Sequence, residues 1–193
     1  MANDQVAEDS GRFGGPSEPP PRSPLPATNY ERRLLAQYHV ARALAESQSL
    51  RDAAPVILRS ICESLGWEVG GLWLVEPQTD ELRLVDLWCS TTVQAEPFAA
   101  ASRQLVFARG GGLPGRVLAS GKPAWIVDVR NDPNFPRAGM AYDIGLRAGF
   151  GFPVVVGTEV VAVLEFFAPE PAAPDEALLD VMVHVGTQLG RVI

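Results

Sequence analysis

Lysine is nearly absent from this chain: Lys122 is the single one among 16 basic residues, and no basic run occurs. With 23 acidic residues the net charge is −7, the opposite of the clustered basic face that nucleic-acid binders present. Cysteine is scarce as well. Cys62 and Cys89 alone cannot complete a structural zinc site or a disulfide framework, so the plain reading is two reduced thiols. No apolar run approaches the roughly 20 residues that cross a bilayer. The acidic start, with Asp4, Glu8 and Asp9, does not fit a secretory signal. Nucleophile elbow, P-loop, dinucleotide fingerprint and zinc motif are all missing. These absences imply a cytoplasmic protein whose partner is neither nucleic acid nor membrane.

What is present is apolar: 47% of the residues are hydrophobic, enough for one well-filled domain plus appendages. Residues 1–28 stand apart as a Pro/Gly-rich leader, in which Gly14–Pro26 has too few apolar side chains to offset ordering entropy. The expected domain spans 29–193. Helical spacing begins at Asn29, a good N-cap, and continues through Leu34, Leu35, Tyr38, Ala41, Leu44 and Ala45. A second helix runs from Ser49 or Asp52 to Leu65, with Pro55 near its start and Gly66 closing it.

Two strand-like runs, Gly70–Val75 and Leu82–Cys89, flank a turn at Pro77–Asp80. Thr91–Ala101 has no clear periodicity. Leu105–Ala108 reads as a strand, Pro114–Ala119 as a helix closed by Gly121, and Ala124–Val129 as a strand. A short helix follows around Ala138–Ile144. Phe150–Val156 and Glu159–Phe167 form a hairpin about Gly157-Thr158. The last helix starts near Pro174-Asp175 and runs to the end of the chain. Leu178, Met182, Val185, Leu189 and Val192 step by four and three residues, an a/d seam suited to pairing, although an amphipathic helix lying on its own sheet has the same pattern. Without a stop signal at Ile193, the helix is expected to continue into a further domain.

This order of elements resembles the GAF family of sensory domains over residues 30–193. Three stretches carry the resemblance: Leu65-Gly-Trp67 leading into Gly71-Leu-Trp-Leu74; Gly112–Gly121; and Leu146–Pro153 with Val163-Leu-Glu-Phe-Phe167. The resemblance implies an α+β fold, with a central antiparallel sheet of about six strands. Terminal helices would cover one face, and loops with short helices between Thr91 and Arg147 would cover a ligand pocket on the other. It also implies pairing through the terminal helices into a homodimer, and a C-terminal output domain, a histidine kinase of a two-component system or a cyclic-dinucleotide enzyme.

The family's known chemistries find little purchase. Cyclic-nucleotide binders share Asn131 and Phe135, but Asp132 replaces Lys, and Gly139-Met140 replace Asp-Glu. Backbone amides at the helix N-terminus near Gly112 remain as an anion-binding feature. Residues 138–149 hold neither Cys nor His for a bilin. His39 and His184 fall on the terminal helices, away from the place of a haem. The free methionine-sulfoxide reductases of this fold use clustered cysteines; here Cys62 is expected in a helix stripe and Cys89 stands alone, so no enzyme is expected.

Aromatics of the variable half, Trp88, Phe107, Trp125, Phe135, Tyr142 and Phe152, are the candidate lining of the pocket, with Arg137 and Arg147 as polar anchors. Arg137, whose planar fork matches carboxylate or phosphate, is the first anchor for an anionic ligand; the plainer alternative is a solvated loop arginine. The ligand is an unidentified small molecule, and no cofactor is assigned. The expected function is ligand sensing relayed through the terminal helices. The alternative is a ligand-free dimerisation or spacer module whose pocket has become solid core; a redox sensor through Cys89 is a third. An open cavity with convergent polar groups would support the first, and large side chains filling it would sink the first and leave the second.

Overall fold

The structure, a computed structural model, describes residues 28–192; the expected leader lies outside them, apart from Thr28. Helix α1 (Asn29–Glu46) is capped by Thr28 rather than Asn29. The Thr28 hydroxyl accepts from Glu31 N, and the Glu31 carboxylate accepts from Thr28 N, a reciprocal capping box. Helix α2 (Leu50–Leu65) takes Ser49 as its cap and ends at the left-handed Gly66. Pro55 therefore sits inside the helix, where one ladder donor is missing.

Strands β1 (Val69–Glu76) and β2 (Glu81–Cys89) form the expected hairpin. The unreadable stretch after them becomes helix α3 (Glu96–Gln104), which has no side-chain cap. Strand β3 (Val106–Phe107), helix α4 (Gly112–Ser120) and the short strand β4 (Ala124–Ile126) follow. After a 3-10 turn at Val129–Asn131 comes the six-residue helix α5 (Ala138–Asp143). Strands β5 (Ala148–Val156) and β6 (Glu159–Ala168) make the long hairpin, and helix α6 (Glu176–Leu189) closes the domain.

The six strands form one sheet, ordered β3-β2-β1-β6-β5-β4, with every pairing antiparallel. On one face α2 packs on β1 and β2, α6 on β5, and α1 on α2 and α6. The core on this side is wholly apolar, including Leu72, Phe150, Phe152, Leu164, Phe166, Met182 and Val185. On the other face α4 packs on β5 and β6, with α3 and α5 beside it.

The a/d seam of α6 is used up inside the domain. Leu178, Met182, Val185 and Leu189 are buried against the domain's own sheet, so they cannot also pair with a second chain, which corrects that expectation. Two glycines explain the close seating. A Cβ at Gly186 would lie 2.0 Å from Pro153 O, and one at Gly190 would lie 2.1 Å from Val155 O. Only hydrogen fits there. The helix also stops at Leu189 and tightens into a 3-10 turn through Val192, short of the expected run.

Candidate functional site

Strand alternation sends Glu165, Val163 and Phe167 of β6 away from the apolar helix layer, toward the face covered by α3, α4 and α5. There Glu165 and Arg137 are fully buried, as is Ser102. Arg137 caps the N-terminal end of α5 and its side chain runs inward. Its Nη2 donates to Glu165 Oε2 at 2.7 Å, and its Nη1 donates to Ser102 Oγ at 3.1 Å. The second carboxylate oxygen, Oε1, accepts from Trp73 Nε1 at 2.9 Å. Ser102 Oγ in turn donates to Phe98 O.

Around the guanidinium stand five aromatic rings. Trp73, Phe98, Phe107, Phe135 and Phe167 have centroids 4.8–5.4 Å from Arg137 Cζ. Ring faces carry partial negative charge, so they attract a cation, the more so when water is excluded. Arg137 Nε nevertheless has no hydrogen-bond partner among the described residues. A buried guanidinium with an unmet donor is costly to hold, which marks this as a site where local stability is given up.

Arg137 is thus neither the solvated loop residue nor the free anion anchor that its sequence context suggested; its fork is taken by Glu165. Of the other candidate residues, Phe107 and Phe135 join it in the cage. Trp88, Trp125 and Phe152 do not: they pack with the helix-covered face. Trp125 stacks on Phe150 and donates its Nε1–H to Ala172 O. Tyr142 and Arg147 form a separate surface cluster. Arg147 and Arg130 lie 5.8 and 5.4 Å from the Tyr142 centroid and both bind Asp128. Hydrogen bonds from Arg147, then Arg130, hold the Asp128 carboxyl well below the usual range.

The expected free amides at the start of α4 are also occupied. Asn134 Oδ1 accepts from Gly112 N, while its Nδ2 donates to Gly110 O. Cys62 is buried, and burial foremost, then Cys89, Glu68 and Glu63, pushes its thiol well up. Cys89, half-buried, is pushed up to about 11, chiefly by burial, with Arg103 opposing. A redox sensor needs an exposed thiol with a lowered pKa, and the half-buried Cys89 has its thiol pushed the other way.

A GAF domain family model matches residues 47–193. The chain belongs to the GAF family. Among curated proteins, this GAF domain is 30% identical over 134 residues to the Nif-specific regulatory protein of Azospirillum lipoferum. That match covers 68% of the chain but 20% of the regulator, so the chain spans about a fifth of its relative's length. Among solved structures, the free methionine-R-sulfoxide reductase of Neisseria meningitidis, in complex with its substrate, superposes with a TM-score of 0.69 at 17% identity, covering 86% of this chain and 91% of that one. The GAF domain of an Acinetobacter phosphoenolpyruvate-protein phosphotransferase gives 0.67 at 16%, covering 86% and 94%. At such identities these structures establish the GAF fold and nothing of the chemistry. No metal-ligand cluster and no helix long and apolar enough to cross a membrane occur among the described residues.

Residues that sequence reading missed are Trp73, Phe98, Ser102 and Phe167 as parts of one constellation with Arg137 and Glu165. Glu165 is tied into hydrogen bonds, one of two readings its mid-strand position allowed. The signal available was Glu165 itself, a carboxylate in the middle of an apolar strand. Such a residue needs a partner, and Arg137 is the partner.

Proposed function

We propose that this GAF domain is a non-enzymatic sensory module of a larger cytoplasmic signalling protein, and that the Arg137 cage is where it senses. The interior is filled, as a degenerate spacer would require. What fills it carries the sensor reading: a charged side chain on a short surface helix, not an apolar core residue. Replacing a buried ion pair by apolar groups is often neutral or stabilising, so solid packing alone gives no reason for Arg137 and Glu165. A small ligand that favours the cage without Arg137 would shift the 129–147 segment. Strands β5 and β6 would carry the change to α6 and α1. The high thiol pKa of Cys89 supports regulation over a thiol-based reductase chemistry. The remaining four-fifths of the Nif-specific regulator supports a linked output domain; a kinase or cyclic-dinucleotide enzyme fits the same role.

Native mass spectrometry of freshly purified protein tests this. An added mass that leaves on activation, with changed amide exchange in 129–147 and α6 on its removal, is the expected result. A protein with no added mass, whose exchange is unmoved by a small-metabolite panel, would sink the reading.

One observation favours the dimerisation reading beside it. Tyr30, Leu34, Leu35 and Tyr38 of α1 are 46–71% exposed, an apolar stripe to which a second copy of this chain is the natural complement. With the α6 seam buried, pairing through terminal helices would run along α1. Sedimentation of Leu34→Glu and Tyr38→Glu variants decides it: a dimer that falls to monomer supports the α1 interface, and an unchanged species removes it.

A further inference from the structure

Most of the cage does not belong to the segment that fills it. Trp73, Phe107, Phe167 and Glu165 stand on β1, β3 and β6, and Phe98 and Ser102 on α3. Only Phe135 travels with Arg137. If the 129–147 segment lifts, four aromatic walls, a carboxylate and a hydroxyl remain as a preformed box. The segment is anchored by the buried Val129, Phe135, Ala141 and Leu146 and by Asn134 on Gly110 and Gly112, so lifting it is a cooperative step rather than a loop fluctuation. Helix α5 has six residues and packs chiefly on the 3-10 turn and α3. Its outer ties are partly exposed ion pairs, Arg116 with Asp132 and Arg147 with Asp128, a class that contributes little. Gly145 at its end has a positive φ of 82°, a hinge-compatible backbone.

The electrostatics fix the class of occupant. Ring faces and the Glu165 carboxylate together present negative charge, and Trp73 Nε1–H already satisfies one carboxylate oxygen. An anion placed there would meet Glu165. A cation would gain the ion pair and the rings together, as the Arg137 guanidinium does now.

We propose that Arg137 is an internal stand-in for a ligand, and that the cage takes a small organic cation, an alkylguanidinium or a methylated alkylammonium, with its head group on Glu165. This rests on the sensor reading and names its ligand class. Arg137 then acts as a built-in competitor: the free cation must outbind a tethered guanidinium, so the domain responds only above a threshold concentration.

The test is rescue by propylguanidinium of the Arg137→Ala protein. Arg137→Ala melts below wild type. Propylguanidinium at a hundred-fold excess over its Kd restores about 5 °C, with saturation, whereas propylurea, its neutral counterpart, and succinate do not. Adding Glu165→Gln removes the rescue. Equal effects of propylguanidinium and propylurea, or none from either, overturn the proposal. Should Arg137→Ala fail to fold, wild type gives the answer: millimolar propylguanidinium speeds amide exchange in 129–147, and unchanged exchange overturns the idea. A co-purified added mass alongside failed rescue would refute the cation class and leave the sensor standing; absence of both refutes both.

Discussion

The two faces of one sheet are built by different rules. Toward α1, α2 and α6 the layer is apolar throughout, and Phe150, Phe152 and Phe166 stack within 5.2–6.3 Å of one another. Each such ring contributes on the order of 2 kcal/mol by leaving water. Toward α3, α4 and α5 the centre is an ion pair at 0% exposure. The first face is filled with groups that need no particular hydrogen-bonding partner, only close packing. The second depends on each group finding one particular other group.

Substitution separates the two. Glu165→Ala leaves the Arg137 charge buried without its carboxylate, and the expected loss is about 3–5 kcal/mol in urea unfolding. The double change Arg137→Met with Glu165→Leu should recover most of that loss, since both partners leave together. Phe152→Ala, on the apolar face, costs about 3–5 kcal/mol by transfer and cavity terms, and no second substitution across the sheet repairs it. If the double variant is no more stable than Glu165→Ala alone, the charge-pair account of the second face fails. Gly186→Ala comes next, at about 1–3 kcal/mol for overpacking against Pro153 O, with its melting transition as the readout.

The pH dependence is smaller and belongs to the surface cluster. Asp128 has a depressed pKa in the fold, mainly through Arg147. Its stabilisation is therefore present above the ordinary carboxylate value near 4 and fades as pH falls below it. The stability gap between wild type and Asp128→Asn should be constant from about pH 5 to 8 and close in acid. A gap that widens in acid contradicts the assignment. Smallest of all is Glu63→Gln, which removes an exposed pair with Arg59 and should cost about 0.5 kcal/mol or less by thermal melt.

Much of this fold is legible from local signals, because hairpins and caps are local. Gly157-Thr158 announces the β5–β6 turn, and Pro114 with Gly121 brackets α4 within a residue or two. Helix α3 escapes notice for the same reason: Ala95 offers no cap, and its nine residues make only about two and a half turns. Pocket lining is less legible. Alternation places Phe150 and Phe152 on a common face, but it does not say which face. The decision lies in Gly149 and Gly151, whose hydrogens let Leu113 and Val117 of α4 approach, so the rings between them must turn to the opposite side. The Arg137–Glu165 pair joins residues 28 apart in sequence, and no local pattern connects them.

The glycine contacts of α6 have a mechanical consequence. Gly186 and Gly190 are one helical turn apart, and each admits a carbonyl of β5 into a notch that any side chain would block. Sliding the helix by one residue would bring Thr187 or Val185 against Pro153 O, and rotating it by 100° would do the same. The helix is keyed to the strand like a ratchet tooth with both neighbouring positions closed. It can leave as a whole, or swing together with β5, but it cannot creep. Motion that reaches β5 from the Arg147 end would therefore carry α6 with it as one body.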